Sequence, residues 1–151
     1  MAERRAGRES AFTLIELAMV VAILAVLVGI AIPYLLGARQ GAQDRAAHTD
    51  LRNVLLAEKM VWLESGGYTA DFATIAATRP GSVLNADPSL GVFVDVNDAD
   101  DHIVCLVRAS RSGRVFSIWE SVTDGTQYGS SDLSGADCPG VKPEGYHQGG
   151  F

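Results

Sequence analysis

Apolar positions in this chain gather into one long run near the N-terminus, then thin into helical stripes and finally into short strand-like segments. From Leu17 to Ala38 there are 22 residues without Asp, Glu, Lys, Arg or His, and Glu16 is the only charge after Phe12 in this stretch. At 1.5 Å per residue such a helix covers about 33 Å, the hydrocarbon thickness of a bilayer. Residues 12–38 are therefore expected to cross a membrane.

The helical period continues beyond the run. Between Arg39 and Glu64, Leu51, Val54, Leu55, Val61 and Trp62 share one arc of about 120° on a 100° wheel, while Leu56, Met60 and Leu63 lie nearly opposite. One stripe is expected to dock on the chain's own sheet and the other on neighbouring subunits, the alternative being that both lie in one core. Glu58 interrupts the centre of the first stripe. Ser65-Gly66-Gly67 is a stop, so the pattern predicts one helix from Phe12 to about Glu64, roughly 80 Å long.

Three strand-like runs follow, Leu90 to Val96, Ile103 to Ala109 and Val115 to Ser121, with the hairpin signal Arg111-Ser112-Gly113 between the last two. Short connections predict an antiparallel meander. The face carrying Ile103, Cys105, Val107 and Ala109 is expected to pack on the helix. Thr123-Asp124-Gly125 reads as a turn, and the Gly-, Ser- and Asp-rich tail from Gln127 to Phe151 has little apolar content, with Tyr128, Tyr146 and Phe151 expected on the outer surface.

Composition and charge narrow the reading. The net charge is −6; before Phe12, three arginines stand against two glutamates, so the remainder is one unit more acidic, at −7. Phosphate binding needs clustered Lys and Arg, so no direct nucleic-acid partner is expected. Cys105 and Cys138 fit no zinc spacing; a single disulfide suits a small extracytoplasmic domain, with two unpaired buried thiols as the alternative. His48, His102 and His147 lie in unrelated contexts and are expected to face solvent. No nucleophile elbow or phosphate loop appears, so no enzyme activity and no cofactor are expected.

Asp95, Asn97, Asp98, Asp100 and Asp101 crowd one turn and form a weak calcium candidate, because hard cations take several oxygen ligands. Ala99 and Asp100 spoil the EF-hand spacing, and a solvated turn is the stronger reading.

The N-terminus admits a secretory signal, with Leu17 to Val28 as its apolar core and Gly29-Ile30-Ala31 as a cleavage site. Against it stand Glu16 at the start of the run, continuation through Pro33 to Ala38, and helical periodicity beyond. Arginine counts do not orient the span, since Arg39, Arg45 and Arg52 match the three before it. The sequence Ala11-Phe12-Thr13-Leu14-Ile15-Glu16-Leu17, after a short basic leader and before an apolar helix, resembles the class III signal of type IV pilins and of the pseudopilins of type II secretion and competence systems. The family usually has Gly where this chain has Ala11.

The resemblance implies a pilin-like α+β fold. A long N-terminal helix, apolar in its first half, packs by its second half on a small antiparallel sheet of about three to four strands. Residues 1–11 become a cleaved cytoplasmic leader, 12–38 a transmembrane and polymerisation helix, 39–65 its soluble half, and 66–151 a connection, the sheet and a C-terminal loop closed by Cys105 and Cys138. A short helical turn around Phe72, Ile75 and Ala76 belongs to that connection. Prepilin peptidase is implied to cut between Ala11 and Phe12 and to N-methylate Phe12, and an assembly platform to polymerise the subunit with copies of itself. The precursor then waits in the cytoplasmic membrane and the product is a cell-surface filament, a type IV pilus, the alternatives being a pseudopilus or a tethered or secreted binding domain that never polymerises. Glu16, costly in a bilayer, is expected to meet the new amine of an adjacent copy, the alternative being an interfacial carboxylate at headgroup level, with Thr13, Gly29, Pro33 and Gly37 also serving assembly. Pro33 deprives the Gly29 carbonyl of its helical donor and the neighbouring glycines weaken the helix, so the resemblance implies unwinding here in the assembled filament, the alternatives being close packing of the small residues and a straight helix with a mild kink.

Overall fold

The computed structural model describes residues 12–134 and 137–151. The leader, including Ala11 of the expected cleavage junction, lies outside the described residues. Helix α1 runs Leu14–Ser65 and is followed by α2, Phe72–Thr78. Four strands come next: β1 Phe93–Asn97, β2 Asp100–Ala109, β3 Val115–Ser121 and β4 Gly125–Gly129. They form one antiparallel sheet in the order β1-β2-β3-β4. The fold is α+β and pilin-like, as the sequence implied.

The chain divides into two units, the first ending at Arg39 and the second running Gln40–Phe151. In the first, α1 is helical through Pro33, and its apolar side chains stand exposed. In the single chain α1 is helical through Gly29, Pro33 and Gly37.

In the second unit, Leu51, Val54 and Leu55 of α1 pack with Val94, Val104, Leu106, Phe116 and Ile118 of the sheet. Leu56, Met60 and Leu63 stay outside this core, at 50%, 44% and 75% exposed. The two stripes are thus separated as predicted, and a common core for both is ruled out. Asp71 caps α2 by accepting the Ala73 and Thr74 N–H groups at 3.2 and 3.1 Å, which orients Ile75 into the same core.

Two expectations about the sheet are corrected. The face on α1 carries Val104 and Leu106, whereas Ile103 and Cys105 face away and pack with Trp119, Cys138 and Tyr146. Every residue from Ile103 to Val107 is buried, so alternation alone does not choose a face; the disulfide decides it by drawing the tail over Cys105. The tail also begins later than the sequence implied, because Gly125–Gly129 is the fourth strand, pairing Tyr128 with Ile118. Tyr146 covers the outer face, where it fills the space beside Gly129 that a Cβ would need. Tyr128 and Phe151 instead lie on the α1 side, with Phe151 stacked on His48 at 4.3 Å.

Candidate functional site

The first turn of α1 is built by Thr13 and Glu16. A helix leaves its first N–H groups without partners inside the helix. Here Thr13 Oγ1 accepts the Glu16 N–H at 3.2 Å, and Glu16 Oε2 accepts the Thr13 N–H at 3.0 Å. The Thr13 hydroxyl also donates to Glu16 Oε2 at 2.7 Å. This reciprocal capping box starts the helix at Leu14, holds the Glu16 carboxylate at its N-terminus and leaves Phe12 outside it. Thr-x-x-Glu was visible in the sequence as spacing, but its capping role was missed there.

From Leu14 to Leu36 every large apolar side chain is at least 47% exposed. This helix is long and apolar enough to cross a membrane, and none of its most apolar window is buried among the described residues. At Gly29 and Gly37 an added Cβ would meet no atom within 4 Å. No contact among the described residues therefore requires glycine at either position.

Cys105 and Cys138 form the expected disulfide, with Cα atoms 5.5 Å apart. Asp95 Oδ2 accepts the Cys138 N–H at 2.9 Å, and the Asn97 side-chain amide donates to the Cys138 carbonyl. These two calcium candidates are thereby turned to holding the tail. Asp100 and Asp101 instead approach His102 Nδ1 at 3.1 and 2.9 Å. The candidate ligands thus divide between two local jobs, while Asp98 stays exposed.

The α1–sheet seam holds polar groups that periodicity did not assign. Glu58 is fully buried and accepts the Thr69 N–H at 3.1 Å, while its Oε1 has no partner among the described residues. Burial pushes its carboxyl up to about 7, with the Thr69 bond opposing the shift. Burial also raises the Tyr68 phenol, helped by the nearby Glu120 and Glu58 carboxylates. Lys59 pairs with Glu120 at 2.9 Å, and Arg108 with Asp50 at 3.3 Å. Asp44 accepts from Ser112, and this bond leads the causes that hold its carboxyl below the usual range.

His48 does not face solvent as expected. It sits between Phe116, edge-on at 4.3 Å, and Phe151, and burial lowers its pKa. His102 and His147 are exposed, in line with the sequence reading.

Comparison with known proteins agrees with these features. Residues 7–32 match the model of the prokaryotic N-terminal methylation motif. Over 105 residues the chain is 30% identical to the type IV wide pilus major component PilA4 of Thermus thermophilus, covering 70% of this chain and 76% of that protein. Motif and apolar helix together support a membrane-anchored precursor. This chain is a pilin-type subunit and belongs to the type IV pilin family.

Proposed function

We propose that the chain is a structural subunit that waits in the cytoplasmic membrane, is cut between Ala11 and Phe12, is N-methylated at Phe12, and polymerises through α1 into a type IV pilus on the cell surface. The observation that carries this reading is the uncovered apolar helix from Leu14 to Leu36. Lipid covers it in the precursor and the helices of other copies cover it in the filament, so it changes one apolar solvent for another.

Glu16 gives the exchange a direction. Cleavage creates an α-amino group at Phe12, next to the residue that caps α1 through Glu16. In a staggered bundle, that amine of one copy meets the Glu16 carboxylate of its neighbour and fixes the axial register. Gly29 and Gly37, with no neighbour of their own, allow close helix approach, while Pro33 marks where α1 unwinds on assembly.

Replacing Glu16 by Ala tests the reading. The precursor should still insert and be processed, while sheared filaments fall at least tenfold. Filaments at the unsubstituted level would contradict it, and filaments composed mainly of this chain distinguish a pilus from a short pseudopilus.

A further inference from the structure

The head, residues 40–151, is electrically polar along α1. At one end the β2–β3 turn lies beside Asp44, with Arg114 Nη1 3.4 Å from its carboxylate. At the other, the Tyr68 N–H donates to the Asp101 carbonyl at 2.8 Å, just beyond the end of α1 at Ser65. Asp44 and Ser65 are separated by about 32 Å of helix at 1.5 Å per residue. Arg45, Arg111 and Arg114 are exposed at the first end, and Glu64, Asp98, Asp100 and Asp101 at the second. Lys59, near the second end, is paired with Glu120 as Arg114 is with Asp44, and the exposed Asp87 stands near the first end, next to Pro88, whose carbonyl accepts the Ala109 N–H at 2.8 Å.

The acidic end carries a second, independent feature. A hollow of about 260 Å³ lined by Lys59, Trp62, Leu63, Tyr68, Glu120 and Val122 opens there, tied to the acidic turn by the Val122 N–H bond to the His102 carbonyl at 3.2 Å. Glu120 is only 4% exposed, and its Oε2 has no hydrogen-bond partner among the described residues. A buried carboxylate oxygen without a donor is costly. Lys59 holds Oε1 at 2.9 Å, the Tyr68 phenol lies close to the same carboxylate, and Trp62 and Tyr68 line the hollow beside it. A guanidinium matches that chemistry, because it donates in a planar fork and stacks on aromatic faces.

Resting on the polymerisation reading, we infer that successive heads dock end to end: the basic Arg111–Arg114 turn of one copy meets the acidic end of the next, and Arg111 enters the hollow at Glu120. Heads side by side at one height would set like charges against like, whereas a stagger of about one head length pairs opposite ends. Leu63, 75% exposed at the rim, is covered by the same contact.

The test uses two charge-reversed forms of the full chain. One carries Arg111→Glu with Arg114→Glu, and the other Asp98→Lys with Asp101→Lys. Each alone should lower filament yield at least tenfold in low salt, and producing both in one cell should restore it to within threefold. Unchanged yield from either form overturns the inference, as does failed restoration when both keep their melting midpoint. If a reversed form loses its melting transition, the neutral pair Arg111→Gln with Arg114→Gln replaces it, with at least a threefold loss expected and no loss overturning the contact. Absence of filaments from the unsubstituted chain removes the polymerisation reading too, whereas filaments indifferent to these charges remove this contact alone.

Discussion

Glu58 accepts the backbone N–H of Thr69 at 3.1 Å, so a carboxylate in the middle of the helix–sheet seam fastens the chain just after it leaves α1. The bond satisfies one oxygen, and full burial pushes the carboxyl up to about 7 from the ordinary 4.5. Below pH 4.5 both folded and unfolded chains hold this proton. Between 4.5 and 7 only the folded chain does, and above 7 the fold carries a buried charge. The stability contributed by the raised carboxyl is therefore present at low pH and lost as pH rises through 7.

Glu58→Gln keeps an acceptor for Thr69 and removes the titration. At pH 4 the variant should match the parent, and at pH 8 it should be more stable by up to about 3 kcal/mol, since each pKa unit is worth about 1.4 kcal/mol. Unfolding of the full chain in detergent, followed by Trp fluorescence at both pH values, reads this directly. An unchanged difference between the two pH values contradicts the account.

The stripes of α1 predict a separation of stability from assembly. Leu51 is fully buried, so Leu51→Ala should cost the head about 2–5 kcal/mol. Leu63→Ala, at the exposed stripe, should shift stability by less than about 0.5 kcal/mol yet lower filament yield. Equal melting losses in the two variants would show that the second stripe also belongs to the core.

The Cys105–Cys138 bond closes a separation of 33 residues over the outer face of the sheet. Its removal by Cys105→Ser with Cys138→Ser should cost about 4 kcal/mol in the chain-entropy model. The tail should then become protease-sensitive around Cys138 before the sheet does, because Asp95, Asn97 and Trp119 hold that segment by single bonds to the backbone at Cys138 and Pro139, whereas each sheet strand is held by a ladder. Limited proteolysis with mass spectrometry measures that order, and simultaneous cleavage of tail and sheet contradicts it.

The sequence was readable where one period dominated. The span, the two stripes of α1 and the stop after Ser65 follow from 3.6-residue spacing and from glycines. It was unreadable where two choices were equally apolar. Ile103 to Val107 is buried on both faces, so no alternation announces that Val104 and Leu106 face α1. Gly125–Gly129 reads GTQYG, too polar to suggest a strand until β3 supplies its partner. His48 is enclosed by Phe116 and Phe151, which lie 68 and 103 positions away, and no local pattern carries such a contact. Glu58 was visible only as an interruption of the stripe, since its partner Thr69 lies beyond the helix end.

The central claim is that α1 is released at Phe12 to become the polymerising element. Mass spectrometry of the N-terminal peptide from sheared surface material tests it most directly. The account predicts a peptide beginning at N-methylated Phe12 from filaments made mainly of this chain. A mature chain beginning at Ile32, or one retaining Met1, contradicts it.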